Sequence, residues 1–303
     1  MPYSKTELKK CYKYRTYEGD KFWLDDSHCH YPAIKDKAHL EELLENITPK
    51  LGRTAITTWG EQVKKRLHYR EFVEALKDYS INHPLTVRDN GPVSILIYKE
   101  RITEIYPSQE IRTASHLHIT AEGCENLIPE HLDPRKTIEL IHKEGGIALV
   151  EHPCTKVHPI KQYCPTTEDD DRLTLEVFGM ADAAEAFNSY NTLWMKRQND
   201  KAKALIEKHG RIAGIAGSDN HFGLVDGLAR KLFYINLGRT GTYFPYYNNF
   251  NLPGKQIIER KRKDLRERNY HTLENYTGPI TFFMEMIPPI IARKLKLDED
   301  SIS

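Results

Sequence analysis

The sequence predicts a parallel α/β fold, closed or nearly closed into a barrel over residues 21–240, with a lead-in at 1–20 and a distinct extension at 241–303. Three observations point there. Short apolar runs alternate with amphipathic helical stretches, and strand–helix–strand repetition is the mark of a parallel sheet. The strand candidates number seven, which suits a barrel better than a small open sheet. A chain of 303 residues also has the length at which α/β barrels form one domain.

Residues 1–20 are polar and tyrosine-rich, as a surface segment would be. The strand candidates follow in order: FWLDDSHCH, TAITTW, VSILIY, LHITA, GIALVEH, AAEAF and IAGIAGSD. Between them lie the helix candidates AHLEELLENI, REFVEALKDYS, DPRKTIELIHKEG and LWMKRQNDKAKALIEKHG. The last aligns Ala202, Leu205 and Ile206 on one face and stops at Gly210, the residue type that closes helices. The acidic run Glu168–Asp171 reads as a solvated loop. After 240 the composition changes: GTYFPYYNNFNLPG is aromatic and turn-rich, and a charged helix candidate, KQIIERKRKDLRERNYH, follows. Between Lys255 and Arg268 seven Lys/Arg face three acids, a net of +4. A solvated helix face is the simplest reading, with guidance of a polyanion as the alternative.

Bulk charge excludes some functions. Lys+Arg 44 against Asp+Glu 43 leaves +1, so no global field recruits nucleic acid or an anionic membrane. The five cysteines form no CxxC pair, and MPYSKTELKK lacks an apolar leader, which together point to a reducing, cytoplasmic setting. The most apolar late segment, ITFFMEMIPPII, is too short to span a bilayer and contains Glu285 and two prolines. The expectation is a soluble protein without membrane partners; oligomeric state is open.

Strand ends in parallel barrels carry the functional side chains, and here several end in metal-ligand types. Alternation along the first strand puts Asp26, His28 and His30 on one face, with Ser27 and Cys29 on the other. The third strand runs out at Glu100 and the fifth at His152; the seventh ends in Asp219 and His221. His116 and His118 lie near the start of the fourth, both on one face. Buried imidazoles and carboxylates need a charge partner, and a mixed set of this kind suits Zn, Mn or Fe.

The series DSHCH, YKE, HLHITAEG, GGIALVEHP, AAEAFN and GSDNH, in that order across residues 22–225, resembles the PHP family, named for polymerase and histidinol phosphatase domains. The resemblance implies a distorted (β/α)7 barrel, TIM-like, that holds two or three divalent ions and hydrolyses phosphoesters. Carried over, it implies one ion on His28, His30, Glu100 and Asp219, and a second on Glu100, His118 and His152. A third position would use His221, an early acid and the His of a TDH motif. Thr57-Thr58-Trp59 stands in place of TDH, and Asp36 lies one place late for the acid. Indole nitrogen only donates hydrogen bonds and replaces no imidazole ligand. The expectation is therefore two ions, with the third site incomplete.

Catalysis would rest on Asp219 with His152 and His221; either histidine or a bound water could protonate the leaving oxygen. Lys156, His158 and Asn188 are candidate substrate contacts. The substrate would be a phosphorylated small molecule or a nucleotide, including a nucleic-acid end. Two rivals remain: a degenerate domain that binds metal without turnover, and a barrel hydrolase of amides or lactones. The latter would bring a metal-bridging lysine on a strand end, and none is evident.

Overall fold

The structure, a computed structural model, describes residues 15–17, 20–31, 34, 36–59, 68–154, 168–189, 196–220, 234, 237–247 and 249–276. In chain order the elements are β1 (Arg15–Tyr17), β2 (Asp20–Asp26), α1 (Lys37–Ile47), β3 (Arg53–Trp59), α2 (Tyr69–Ser80), β4 (Leu85–Asp89), β5 (Ser94–Tyr98), β6 (Arg101–Arg112) and β7 (His118–Glu122). They continue with α3 (Pro134–Lys143), β8 (Ile147–Glu151), α4 (Glu168–Phe178), β9 (Ala183–Asn188), α5 (Lys196–His209), β10 (Ala213–Gly217), β11 (Gly241–Pro245), α6 (Gly254–Glu267) and β12 (His271–Leu273).

Seven strands form the wall, in the order β2-β3-β6-β7-β8-β9-β10. The wall turns back on itself where the chain beyond β10 meets the chain beyond β2. There the Asp219 amide donates to the His28 carbonyl at 2.8 Å, the His30 amide donates to the Asn220 carbonyl at 3.0 Å, and Cys29 and Asn220 form a parallel bridge. The expected barrel is present, but its third strand is β6, whereas the sequence pointed to VSILIY. That run is β5, paired antiparallel to β4 and β6 outside the wall. RITEIYPSQEIR was missed because Pro107 and four charged residues argue against a central strand. Glu104, Ser108 and Glu110 are instead buried on its inner face.

One wall strand runs against the rest: β7 is antiparallel to both β6 and β8. Its first residue therefore lies at the rim where its neighbours end, with His118 opposite Glu151 in register.

Apolar residues separate into layers by strand face. Phe22 and Leu24 of β2 pack outward with Leu40, Leu43, Leu44 and Ile47 of α1, spaced three and four apart as one helix stripe. Ile119, Ala148, Val150 and Ala184 pack outward under α3, α4 and α5. Trp23, Ala55, Ile147, Leu149, Ala183 and Ile215 turn inward and meet Ile257, Ile258 and Leu265 of α6. The described part of the extension, up to residue 276, packs with the barrel: β11 pairs antiparallel with β2, and α6 contributes to the interior core.

The basic run of α6 is not a solvated face throughout. Lys261 and Arg262 are buried, at 3% and 6% exposure. The Lys261 ammonium lies 2.6 Å from an Asp25 oxygen, donates to Ser27 Oγ and the Tyr106 hydroxyl at 2.9 Å each, and pairs with Glu122. Arg262 donates to the Gly146 carbonyl and caps that turn. The acidic run at 168 opens α4, where negative charge favours the helix N-terminus. No helix among the described residues is long and apolar enough to cross a membrane.

Candidate metal centre

Local breaks in the strands aim the polar side chains into the barrel. β2 ends at Asp26, and a bend at Ser27–His28 reverses the alternation. Before it the even positions Phe22 and Leu24 face the helices; after it the odd positions Cys29 and Tyr31 join that same outer cluster. His28 and His30 consequently point inward, while Asp26 accepts a bond from the Ser218 amide at 3.2 Å. The single face expected for Asp26, His28 and His30 does not exist. His152 and Asp219 have φ of 25° and 48°, left-handed conformations that turn each side chain off its strand axis. Such strain persists only where the surroundings enforce it.

Four donor atoms converge: His28 Nε2, His30 Nε2, an Asp219 Oδ1 and a Glu110 Oε2. The two imidazole nitrogens are 3.2 Å apart. His28 Nε2 is 3.3 Å from Asp219 and 3.7 Å from Glu110; His30 Nε2 is 3.1 Å from Glu110 and 3.8 Å from Asp219. Two ligands held by one tetrahedral ion at about 2.0–2.1 Å are about 3.3–3.4 Å apart, so these separations fit such an ion. The other Glu110 oxygen faces a second pair, with His118 Nδ1 at 2.6 Å and His152 Nε2 at 3.4 Å. Glu110 is thus a bridge between two donor groups. Asn188 donates its amide to Asp219 at 3.1 Å and to Glu185 at 2.8 Å, fixing both carboxylates.

The electrostatics call for a cation. Burial raises the Asp219 and Glu185 carboxyls, and brings Asp26 up to about 7. Burial also opposes ionised Glu110, yet His118 and the neighbouring imidazoles outweigh it and hold that carboxyl well below its usual range. Burial should likewise depress His28, but the charges of Glu151 and Asp219 prevail and raise it well above normal; His152 is raised to about 9, its hydrogen bond to Glu110 and nearby carboxylates overcoming burial. Raised in this way, His28 and His152 hold protons that offset the clustered carboxylates. A divalent ion would meet the same demand and release those protons.

No family model and no curated protein matches the sequence. Among solved structures, a two-domain protein from Bacteroides vulgatus ATCC 8482 containing a predicted PHP-like metal-dependent phosphoesterase superposes with a TM-score of 0.53, at 14% identity over 87% of this chain and 68% of that one. The fold is PHP-like. The lesion-specific endonuclease Q of Pyrococcus furiosus gives a TM-score of 0.45 at 14% identity, over 83% of this chain and 57% of that chain. An endonuclease Q bound to a 27-mer duplex with an abasic lesion gives 0.41 at 11% identity, over 79% and 57%. This chain spans just over half the length of the endonuclease Q chains.

Against this PHP-like barrel, His28, His30, His118, His152 and Asp219 come together as donors, and Glu100 does not. Lys99 and Glu100 are exposed and form the two-residue tip of the β5–β6 hairpin, with φ of 47° and 60°. Both central residues of a type I′ hairpin turn need such positive φ. Glu110, ten residues on, occupies the bridging place. His116 is exposed and bonded to Arg112 at 2.8 Å, which leaves His118 as the inward histidine. Asn188 is buried and holds the Asp219 and Glu185 carboxylates. Cys29 and Cys154 lie in apolar clusters. His221, Lys156 and His158 lie outside the described residues.

Two acids behind His28, Glu151 and Glu185, escaped notice in the sequence. The motifs VEHP and AAEAF display them, but a single acid within an apolar strand carries no local sign of what it faces. Asp36, considered for the third position, is the N-cap of α1, accepting from the His39 amide at 2.8 Å. Asp36→Ala should cost about 1 kcal/mol in urea unfolding and leave the metal content unchanged; loss of an ion would make it a ligand after all.

Proposed function

We propose that this chain is a metal-dependent phosphoesterase with two divalent ions. His28, His30, Glu110 and Asp219 would hold the first, and Glu110, His118 and His152 the second. The observation that carries this reading is Glu110, which directs one oxygen to each donor group. Imidazole and carboxylate donors suit Zn, Mn or Fe. Ions bound there supply Lewis acidity to a phosphoryl oxygen and lower the pKa of a water toward neutrality.

The chain's own contribution is positioning. The bend after Asp26 delivers two imidazoles from alternate residues of one extended segment, and the His28–Asp219 backbone bond locks the first and last motifs together. Asn188 holds Asp219 with one oxygen facing the imidazoles. His221 follows Asp219 by two residues and is proposed as proton donor to the leaving oxygen; Lys156 and His158 are proposed phosphate contacts on sequence grounds. The substrate class is a phosphorylated small molecule or nucleotide. With Lys261 and Arg262 buried, the extension offers fewer charges to a polyanion than its composition suggests.

The test is metal analysis followed by hydrolysis of p-nitrophenyl phosphate and bis-p-nitrophenyl phosphate with Zn or Mn. Two ions per chain and turnover of either ester are expected, and chelation should return the rate to background. Stoichiometric metal without hydrolysis of either ester would instead make the domain a binding module. Absence of metal binding would end the reading.

A further inference from the structure

Behind His28, away from the other donors, two carboxylates meet the ring nitrogen that faces the wall. His28 Nδ1 lies 2.8 Å from Glu151 Oε2 and 3.4 Å from Glu185 Oε1. Both acids are 1% exposed. Among the described residues His28 Nδ1 is the nitrogen beside the Glu151 carboxylate, and neither His28 Nδ1 nor either Glu151 oxygen has another hydrogen-bond partner. Glu185 is anchored on its other oxygen by the His152 amide and by Asn188, each at 2.8 Å. Space for it is provided by Gly217: a Cβ there would come 2.1 Å from Glu185 Oε1 and 3.1 Å from His28 Cβ. These three atoms could themselves enclose an ion. However, His28 Nε2 already faces the other donors, and an imidazole that binds through both nitrogens must lose its last proton. A 2.8 Å contact is also the length of a charge-assisted hydrogen bond.

We propose that Glu151 and Glu185 are positioning residues that jointly clamp the His28 Nδ1–H. The clamp fixes the tautomer that presents Nε2 to the first ion and makes that imidazole a stronger donor. This rests on the metal reading above. Carboxylates behind metal-bound histidines typically change affinity about 10–100-fold. Two of them on one ring select the first position for the tighter of two unequal ions.

The experiment titrates Zn into metal-free wild type, Glu151→Gln and Glu185→Gln against a chromogenic chelator, with circular dichroism and thermal unfolding to confirm folding. Wild type should bind two ions of unequal affinity. Each variant should lose about 10–100-fold at the tighter position and leave the weaker one unchanged. Gly217→Ala, by displacing the Glu185 carboxylate, should reproduce the Glu185→Gln result. In the zinc-loaded wild type the His28 Nδ1 proton should give a slowly exchanging downfield NMR signal, moved upfield in Glu151→Gln. A residue that only supports the fold would weaken both positions and leave that signal in place.

Wild-type affinity, within twofold, in folded Glu151→Gln and Glu185→Gln overturns the clamp while leaving the metal reading intact. Failure of wild type to bind zinc overturns the metal reading first. If Glu151→Gln does not fold, Glu185→Gln decides, because its partner Glu151 still satisfies the ring.

Discussion

Glu110→Gln should abolish binding of both proposed ions, whereas Glu100→Gln should leave metal binding and the proposed hydrolysis unchanged. The two acids are ten residues apart and chemically identical, so the comparison isolates position. Glu110 alone has an oxygen near each donor group, 3.1 Å from His30 and 2.6 Å from His118. An amide keeps the shape of the side chain but withdraws the charge that both ions would share. Ions at such sites contribute several kcal/mol to transition-state charge, so kcat/KM should fall by at least about a thousandfold. Elemental analysis of dialysed protein and hydrolysis of both nitrophenyl esters measure it. Two ions retained in Glu110→Gln would show that the bridge is not needed.

Lys261→Met should have the largest effect on stability. The ammonium is the buried cation shared by Asp25 and Glu122. Removing one partner of a buried ionic group leaves the others uncompensated, at a cost of about 3–5 kcal/mol. Urea unfolding at fixed pH measures the change. The effect carries a pH signature. Burial raises the Glu122 carboxyl to about 7 although Lys261 lowers it. A carboxyl raised in the folded state favours folding below its ordinary pKa, and that contribution is lost as pH rises through about 7. Without Lys261 the carboxyl rises further, so the stability gap between variant and wild type should widen from pH 6 to pH 8. A constant gap would mean that Glu122 is not the group left unpaired. Because Ser27 also accepts from Lys261 and precedes His28, the variant tests how firmly α6 supports the bend that aims the imidazoles.

The candidate site was legible in unequal parts. DSHCH, VEHP and GSDNH put ligand types at strand ends, and each of those segments does bring a donor into the barrel. His118 seemed to sit at the wrong end of its strand, but the antiparallel course of β7 brings that end to the rim beside Glu110. Glu100 lies away from the histidines, because YKE, which looked like a strand running out into the rim, turns there. It is a hairpin tip, and the wall strand that follows turns Glu104, Ser108 and Glu110 into the barrel, while Thr103 and Gln109 are buried on the outer face with Ile105 and Ile111. Hydrophobic pattern finds strands by what they bury, and a strand that buries polar groups is invisible to it.

What the sequence by itself determined is local: where strands and helices lie, which ligand types end them, and that seven strands suit a barrel. These follow from side-chain periodicity and covalent order, which any stretch of chain expresses alone. Only the tertiary structure decided which of β5 and β6 enters the wall, that β7 runs backward, that the chain bends after Asp26, and that Glu110 rather than Glu100 bridges the histidines. Strand direction and neighbour choice depend on hydrogen bonds between segments far apart in the chain, and no local spacing encodes them.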